Sequence, residues 1–187
     1  MRKIGLCVTG SFCTFASLLK VVDGLIAADY DVTPIFSYNV STLDTRFFKQ
    51  SDFEDIIIQK TGKYPVKSIV EAEALTKSGI ELMLVAPCTG NTLAKIAHGI
   101  TDTPVTMAVK ATLRTNKPVV LSISSNDALG ANAANIGTLL NTKNVYLVPF
   151  GQDAPTNKPH SLIADTSLIL PTVEKALHGE QIQPIIL

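Results

Sequence analysis

The sequence predicts an α/β domain in which short buried strands alternate with helices. Three observations lead to this fold class: short apolar runs, helical spacing of apolar residues between them, and polar loops directly after the strands. This order builds βαβ units, whose strands lie parallel and whose helices cover both faces of the sheet. A chain of 187 residues has the length of one domain, so residues 1–187 are predicted to form a single unit.

The strands are predicted from their apolar residues. Four of the six residues 81–86 are large and apolar, without alternation, which is typical of a strand covered on both faces. Residues 32–36 contain Pro34, whose missing N–H is tolerated at the edge of a sheet. The other strands are predicted over residues 4–8, 118–123 and 145–149.

Helices are predicted where apolar residues recur with a helical period. Leu18, Val22 and Leu25 mark a helix over residues 15–28, between the first two strands. Pro171 suits the first turn of a helix in the second half of residues 162–177. Further helices are predicted over 52–60, 68–76 (a helix or an ordered loop), 93–97, 106–113 and within 126–140. The apolar tail, residues 183–187, is expected to dock on the domain.

In a doubly wound, flavodoxin-like (Rossmann-like) sheet, ligands bind at the carboxyl ends of the strands. Loops 9–14, 37–45, 87–92 and 124–126 follow those ends. In the first loop, Gly10 permits close backbone approach and Ser11 offers a hydroxyl before a helix, which indicates a phosphate site or an ordinary helix cap. Loop 87–92 carries hydroxyls and an amide without charge, and these groups suit a flat heteroaromatic ring or a ribityl chain.

Composition excludes several classes of protein. Hydrophobic residues make up 46% of the chain, more than in an average soluble domain. No apolar run reaches the roughly 20 residues of a membrane span, so the excess apolar surface indicates a large subunit interface instead. Sixteen basic residues balance sixteen acidic ones, which argues against binding to nucleic acid or to a membrane surface. The chain shows no signal-peptide pattern, and its three cysteines lack metal-ligand spacing, so we predict a cytoplasmic protein without a metal site.

Residues 86–102 resemble the signature of the flavoproteins that include Cys-peptide decarboxylases, phosphopantothenoylcysteine decarboxylases and flavin prenyltransferases. That signature reads Pro-Ala/Cys-Ser/Thr-x-Asn/Lys-Thr and then Leu-Ala-x-Ile-Ala-x-Gly-x-x-Asp; residues 9–11 and Ser37 are also similar to the flavin loops of this family. The resemblance implies FMN as cofactor and a homo-oligomer, a trimer or dodecamer, with flavin at the boundaries between its protomers. The cofactor-binding residues that we predict on this basis are Gly10, Ser11, Ser37, Asn39, Pro87, Cys88, Thr89, Asn91, Thr92, Thr106 and Ala108.

Other stretches are similar to one subgroup of these flavoproteins, in which the flavoprotein-like chain is one subunit of a spore enzyme. They are residues 42–47, 103–114, 125–130, 149–153, 174–177 and 183–185. This similarity implies the oxidation of a small dihydropyridine dicarboxylate in the mother-cell cytoplasm of a sporulating bacterium. It also implies a partner subunit, which is a candidate for binding NADP.

The chain lacks catalytic groups of its relatives. Residues 37–42 contain no histidine where the decarboxylases use one, and an amide such as Asn39 does not titrate in its place. Ser124 and Ser125 stand where the prenyltransferases carry Arg-Glu. Decarboxylation is therefore disfavoured. A flavin-dependent oxidoreductase subunit, or else a flavin-binding subunit without chemistry of its own, remains as the hypothesis.

Candidate substrate and catalytic groups follow from the implied dicarboxylate. Arg46, with Lys110 or Arg114, is predicted to bind the two carboxylates, because a guanidinium pairs with a carboxylate through two hydrogen bonds; the alternative is ordinary surface charge. Asp127, beside Asn126, is predicted to accept a proton, or else to cap the following helix. Cys88 is interpreted as a small packing residue rather than a reactive thiol.

Overall fold

Apolar strands form the centre of the molecule, as the sequence predicts. The computed structural model describes residues 1–75 and 77–187, and residue 76, at the end of one predicted helix, lies outside the described residues. The strands are β1 (Arg2–Val8), β2 (Tyr30–Phe36), β3 (Leu82–Cys88), β4 (Val119–Ser125), β5 (Val145–Leu147), β6 (Phe150–Gly151) and β7 (Leu162–Ala164). The helices are α1 (Phe15–Ala27), α2 (Tyr38–Thr42), α3 (Gln50–Thr61), α4 (Ile69–Ala74), α5 (Gly90–Ala97), α6 (Pro104–Arg114), α7 (Ala133–Leu140) and α8 (Ile169–Leu177).

The described strands form one sheet in the order β2-β1-β3-β4-β7-β6, and β5 also pairs with β4. Strands β1 to β5 pair in parallel, which confirms the predicted α/β class. Every residue of β3 is buried, as expected for a strand with helices on both sides. Pro34 lies in β2, the edge strand of the sheet order. Its missing N–H therefore removes no hydrogen bond to another strand.

Helices pack on both faces of the sheet. On one face α1 contacts α3 and α8, and on the other α6 contacts α4 and α5. Aromatic rings fill the space between α1, α3 and β2: Phe15 stacks on Phe53 with ring centroids 4.2 Å apart, and Phe36 lies 5.6 Å from Phe53. Their burial holds the first two strand ends, and the loops that follow them, in fixed positions.

Two segments depart from the predicted elements. Strand β7 lies in a segment predicted to be partly helical, and it pairs antiparallel with β4 and β6. The predicted helix within residues 126–140 begins only at Ala133, because Asp127 O accepts hydrogen bonds from Gly130 N (2.9 Å) and Asn132 N (3.2 Å) in a turn. Strands of two or three residues carry no period in the sequence, and their pairing depends on tertiary contacts.

The C-terminal tail docks on the sheet, as predicted. Phe150 N donates to Ile185 O at 3.1 Å, and Leu187 N donates to Phe150 O at 3.0 Å. The tail therefore supports β6 and, through it, β7. Among the described residues, no helix is both long and apolar enough to cross a membrane.

Candidate functional site

Two adjacent cavities open at the carboxyl ends of the parallel strands. The larger one, of about 620 Å³, is called here the β4 cavity because residues 124–127 line it. The smaller one, of about 330 Å³, is called the α2 cavity because Tyr38 and Asn39 line it. Both are lined by Gly10, Thr89 and Asn91, so they lie side by side. Their volumes fall within the range of about 300–1,000 Å³ typical of small-molecule sites.

Thr9 fixes the wall between the two cavities. Its side chain is 1% exposed, and its hydroxyl donates to Pro87 O (2.6 Å) and accepts from Thr89 N (3.1 Å). Because one buried hydroxyl satisfies two backbone groups, the end of β1 and the loop after β3 are joined at a defined distance. The Ala86–Pro87 peptide bond within this segment is cis.

Helix α5 begins at this wall. Thr89 is its N-cap, and the Thr89 hydroxyl accepts from Thr92 N at 3.4 Å. The first amide groups of a helix have no acceptor within the helix, and together they carry a partial positive charge. Gly90 and Asn91, the first two residues of α5, both line the β4 cavity. The start of α5 therefore offers hydrogen-bond donors to an acceptor-rich ligand.

Neutral groups and one lysine line the α2 cavity. Ser37 caps α2, its hydroxyl accepting from Val40 N at 3.4 Å, and Asn39 follows in the first turn of that helix. Lys95, on α5, reaches the same cavity and donates to Asp102 at 2.8 Å. Hydrogen bonding from Lys95 holds the pKa of the Asp102 carboxyl below its usual value. Hydroxyls, an amide and a neighbouring ammonium suit a phosphate group.

A hydrogen-bonded cluster surrounds Asp127 in the β4 cavity. Ser125 Oγ donates to Asp127 Oδ1, and Asn132 Nδ2 donates to both carboxylate oxygens at 3.0 and 2.9 Å. These bonds, the one from Ser125 first, lower the pKa of the Asp127 carboxyl. The cluster leaves no room at Gly90, where a Cβ would lie 2.6 Å from Asp127 Oδ1 and 2.7 Å from Asn132 Nδ2. Asp127 is therefore an anion at neutral pH, packed against the start of α5.

A loop over residues 152–161, called here the 152–161 loop, closes another side of the β4 cavity. Asp153, Lys158 and Ser161 contribute its lining side chains. Lys158 Nζ lies 3.3 Å from Asp153 Oδ2, and His160 O accepts from Leu129 N at 2.9 Å. The loop is thereby tied to the turn that follows Asp127. Hydrogen bonds from Ser161 and Lys158 lower the pKa of the Asp153 carboxyl.

Nine of the predicted site residues come together around the two cavities. Ser11 also joins two strand ends, because its hydroxyl lies 2.7 Å from Ser124 Oγ. The nine residues are Gly10, Ser11, Ser37, Asn39, Thr89, Asn91, Thr92, Asn126 and Asp127. Asp127 does not cap α7, whose N-cap is Asn132, so the capping alternative is not observed.

Four predicted cofactor residues lie outside the cavities. Pro87 and Cys88 are buried within β3, and only the backbone of this segment contributes, through the bond of Pro87 O to Thr9. Thr106 is 1% exposed and forms a capping box with Thr103. The structure corrects the assignment of Ala108, which is completely buried and faces Leu75, Ile80 and Met83. A position in a family pattern does not show whether a side chain on α6 is buried or exposed.

The predicted substrate cations also lie elsewhere. Arg46 is exposed, and its guanidinium lies 4.9 Å from the centroid of the Phe47 ring. Lys110 and Arg114 are exposed on α6 and line a separate groove, called here the α5 groove. This groove is mostly apolar and is lined by Ile96, Ile100, Val109 and Leu113 as well. Since none of the three cations lines the β4 or the α2 cavity, the chain by itself does not bring them to the candidate site.

Sequence reasoning missed several residues of the site. Lys95 follows Thr92 by three positions on α5, and helical spacing places such a pair on one face, so this residue was accessible to sequence reasoning. Asp153, Lys158 and Ser161 come from a segment without a recognisable pattern. They reach the β4 cavity only because β6 and β7 pair beside β4.

The fold and the polar loops at the strand ends define a flavoprotein-type domain. The profile of the Flavoprotein family matches residues 1–166, so the chain belongs to this family, which confirms the resemblance found in the sequence. The B subunit of dipicolinate synthase from Bacillus subtilis (strain 168) is 44% identical over 186 residues, which are 99% of this chain and 93% of the relative.

Solved structures agree with this assignment. The crystal structure of the B subunit of dipicolinate synthase from Bacillus halodurans C has a TM-score of 0.92 and 44% identity, and the match covers 100% of this chain and 96% of that one. The crystal structure of the FMN-dependent cysteine decarboxylase SpaF has a TM-score of 0.68 at 18% identity, and the match covers 95% of each chain. This second likeness shows the fold alone.

The residues present fit a flavin mononucleotide. The α2 cavity offers hydroxyls, an amide and Lys95 to a phosphate, whereas the wall shared with the β4 cavity offers backbone N–H groups and neutral side chains. The edge of a flavin ring carries carbonyl oxygens and ring nitrogens. Neutral hydrogen-bond donors and acceptors of this kind can pair with them. Among the described residues, no group of three His, Cys, Asp or Glu side chains is arranged to hold a metal ion.

Proposed function

We propose that the chain binds FMN and acts as the B subunit of dipicolinate synthase. It would form dipicolinate from a dihydrodipicolinate-type precursor together with the A subunit of that enzyme, called here the partner subunit. The observation that carries this proposal is the pair of adjoining cavities, which share Gly10, Thr89 and Asn91 at the start of α5. The near full-length similarity to the Bacillus subtilis protein supports the choice of substrate. A sporulating mother cell, with an NADP site on the partner subunit, is the setting that this function implies.

Particular residues would hold the cofactor. Ser37, Asn39 and Lys95 would bind the phosphate, because they line the α2 cavity with hydrogen-bond donors. Gly10 and the Asn91 amide, at the shared wall, would lie along the flavin between the two cavities. The substrate would then occupy the β4 cavity next to the ring.

The reaction converts a dihydropyridine into an aromatic pyridine, which releases two electrons and two protons. When bound, the flavin supplies the acceptor for both electrons and one proton. Asp127 would accept the second proton, because its carboxylate lines the β4 cavity and its lowered pKa keeps it ionised at neutral pH. Asn126, beside it, would orient the ring through its amide.

A second candidate function is a flavin-binding subunit without chemistry of its own. The observation in its favour is the shortage of titratable groups: among the described residues that line the two cavities there is no histidine, and Asp127 is engaged by Ser125 and Asn132. A carboxylate with a lowered pKa is also a weaker base. The partner subunit would then supply the catalytic groups.

Absorption spectroscopy of the purified chain tests both functions. After incubation with FMN and removal of free cofactor, we expect a yellow protein whose visible band bleaches when the dihydropyridine precursor is added without air. A yellow protein that bleaches only in the presence of the partner subunit supports the second function. A protein that stays colourless overturns both.

A matched pair of variants locates the phosphate. Ser37→Ala is expected to weaken FMN binding about tenfold, through loss of one hydrogen bond to a charged group, while leaving riboflavin binding unchanged. Ser51→Ala, at an exposed position at the start of α3, is the control and should leave both affinities unchanged. Equal weakening of FMN and riboflavin binding would contradict the placement of the phosphate in the α2 cavity.

A further inference from the structure

The charge of the β4 cavity comes from three side chains. Among the described residues that line it, Lys158 is the only cation, and it faces two carboxylates, Asp127 and Asp153. Both oxygens of Asp127 already accept hydrogen bonds within their own cluster. Asp153 accepts a hydrogen bond from Ser161 and contacts Lys158 at 3.3 Å. Lys158 is therefore the group in this cavity that can attract an anionic ligand.

The backbone around Lys158 is well fixed. Lys158 N donates to Ala154 O at 2.7 Å, Ser161 N donates to Lys158 O at 3.0 Å, and Gln152 Nε2 donates to Pro159 O at 2.9 Å. These bonds close the 152–161 loop into a compact turn. The Lys158 side chain thus starts from a defined point at the edge of the cavity.

The ion pair of Lys158 is loose by comparison. Its 3.3 Å separation exceeds the distance of about 2.7–2.9 Å found in close charge-assisted hydrogen bonds, and the Lys158 side chain is 60% exposed. An exposed pair of this length contributes little to stability. Its ammonium can therefore exchange one carboxylate partner for another at little cost in free energy.

We propose that Lys158 binds one carboxylate of the dicarboxylate substrate, and that this carboxylate replaces Asp153 as its partner. The proposal rests on the proposed function, which supplies the dicarboxylate. The hydroxyls of Ser11 and Ser124, which lie 2.7 Å apart, line the same cavity and offer hydrogen bonds to such a ligand. Asp153 is the competing partner in this arrangement, since it pairs with the ammonium until the substrate carboxylate takes its place.

The test is equilibrium binding of dipicolinate, the stable aromatic product, measured by calorimetry on the FMN-loaded chain with and without the partner subunit. Lys158→Ala is expected to weaken binding about tenfold or more, because a charged hydrogen bond to the carboxylate is lost. Lys158→Arg should retain most of the affinity. Lys143→Ala removes an exposed lysine that does not line the cavity, and it should have no effect.

The direction in which a second variant changes the affinity for dipicolinate distinguishes this role from a structural one. Asp153→Asn removes the competing carboxylate and one negative charge from the cavity, so dipicolinate should bind several-fold more tightly. If Asp153 only supported the loop, the same change would weaken binding. Weaker binding by Asp153→Asn, or unchanged binding by Lys158→Ala, would overturn the proposal.

The flavin absorption band reports separately on the proposed function. Lys158→Ala and Asp153→Asn should both retain FMN with the affinity of the original chain. If the original chain fails to retain FMN, the proposed function fails, while dipicolinate titrations on the FMN-free protein still report on Lys158. If the original chain binds no dipicolinate, whether or not the partner subunit is present, the role of Lys158 is refuted whatever the flavin content.

Discussion

Single residues at the strand ends decide what the site can do, and Asp127 is the clearest case. The hydrogen bonds from Ser125 and Asn132 lower the pKa of its carboxyl in the folded state. A carboxyl with a depressed pKa stabilises the fold above the pKa of the unfolded chain, about 3.9, and loses this contribution as the pH falls through the folded-state pKa. The bonds of Asp127 therefore contribute to stability at neutral pH and not in acid.

Replacing Asp127 tests this contribution. Asp127→Asn is expected to lower the free energy of unfolding by about 1 kcal/mol near pH 7, because the charged hydrogen bonds are lost at a half-buried site. The difference from the original chain should shrink between neutral and acid pH, as the pH falls through the folded-state pKa of Asp127, which lies below the usual value of an aspartate. Urea unfolding across this pH range measures it, with Asp55→Asn on the exposed side of α3 as control. A difference that does not depend on pH would contradict the ionised Asp127.

The cysteines differ in reactivity for a physical reason. Burial raises the pKa of the Cys88 thiol to about 12 and also raises the pKa of Cys7, with a smaller contribution from the charge of Cys88. Cys13 is exposed in the β4 cavity. Because thiolates are the reacting species, Cys88 is a packing residue rather than a nucleophile in this structure.

Thiol titration of the native protein checks this difference. Near pH 8, Cys13 should react with a disulfide reagent much faster than Cys7 or Cys88, because Cys13 is exposed, whereas the other two thiols are buried and ionise less readily. Cys13→Ser should remove the fast phase, and denaturant should expose the remaining thiols. Rapid reaction of Cys88 in the folded Cys13→Ser variant would show that the loop after β3 opens.

At the scale of elements, the start of α5 depends on a glycine. A Cβ at Gly90 would lie 2.6 Å from Asp127 Oδ1 and 2.7 Å from Asn132 Nδ2, so α5 approaches the Asp127 cluster as closely as a glycine permits. Gly137, within α7, has no atom within 4 Å of the equivalent position. The two glycines thus form a matched pair for the same substitution.

The two substitutions are expected to change the stability of the protein in opposite directions. Gly90→Ala should destabilise the protein by about 1–3 kcal/mol, because the cluster must shift to admit a methyl group. Gly137→Ala should stabilise it by about 0.5–1 kcal/mol, because alanine is the better residue within a helix. Thermal or urea unfolding measures both. Stabilisation by Gly90→Ala would show that the contact between α5 and the Asp127 cluster is loose.

At the scale of the whole molecule, the tail and the candidate site are connected through the last two strands. Residues 183–187 pair with Phe150 in β6, β6 pairs with β7, and the 152–161 loop joins these two strands. Deleting residues 183–187 should therefore increase hydrogen exchange over residues 150–164, while β1 and β3 remain protected. Mass spectrometry with peptide resolution measures this. Uniformly faster exchange would mean that the tail stabilises the entire domain instead.

Oligomeric state is the second property of the whole molecule that is open to test. The apolar composition predicts a subunit interface, and Ile100, 47% exposed, lies in the apolar α5 groove. We expect a homo-oligomer by light scattering, and Ile100→Asp should shift it towards the 20.0 kDa monomer, because a charge cannot be buried unpaired at low cost. Val70→Asp, at a residue 78% exposed on α4, is the control. A monomeric original chain would contradict the predicted interface.

The sequence by itself determined the α/β class, the five parallel strands and the four loops that follow the first four of them and line the cavities. Long or strongly apolar elements carry a local signal that depends little on their neighbours, as in the continuous apolar run within residues 81–86. The motif over residues 86–102 also indicated the family, which the match of the family model to residues 1–166 confirms.

Only the tertiary structure decided which polar residues meet. Lys158 and Asp153 reach the β4 cavity because β7 pairs with the end of β4, a contact between residues far apart in the chain. Arg46, Lys110 and Arg114 have the right chemistry but point to other surfaces. Residue type and spacing specify local structure, whereas the side on which a side chain emerges depends on long-range packing. For this reason the sequence predicted Asp127 and the loops at the strand ends, whereas only the fold showed that Lys158 and Asp153 share the β4 cavity with them.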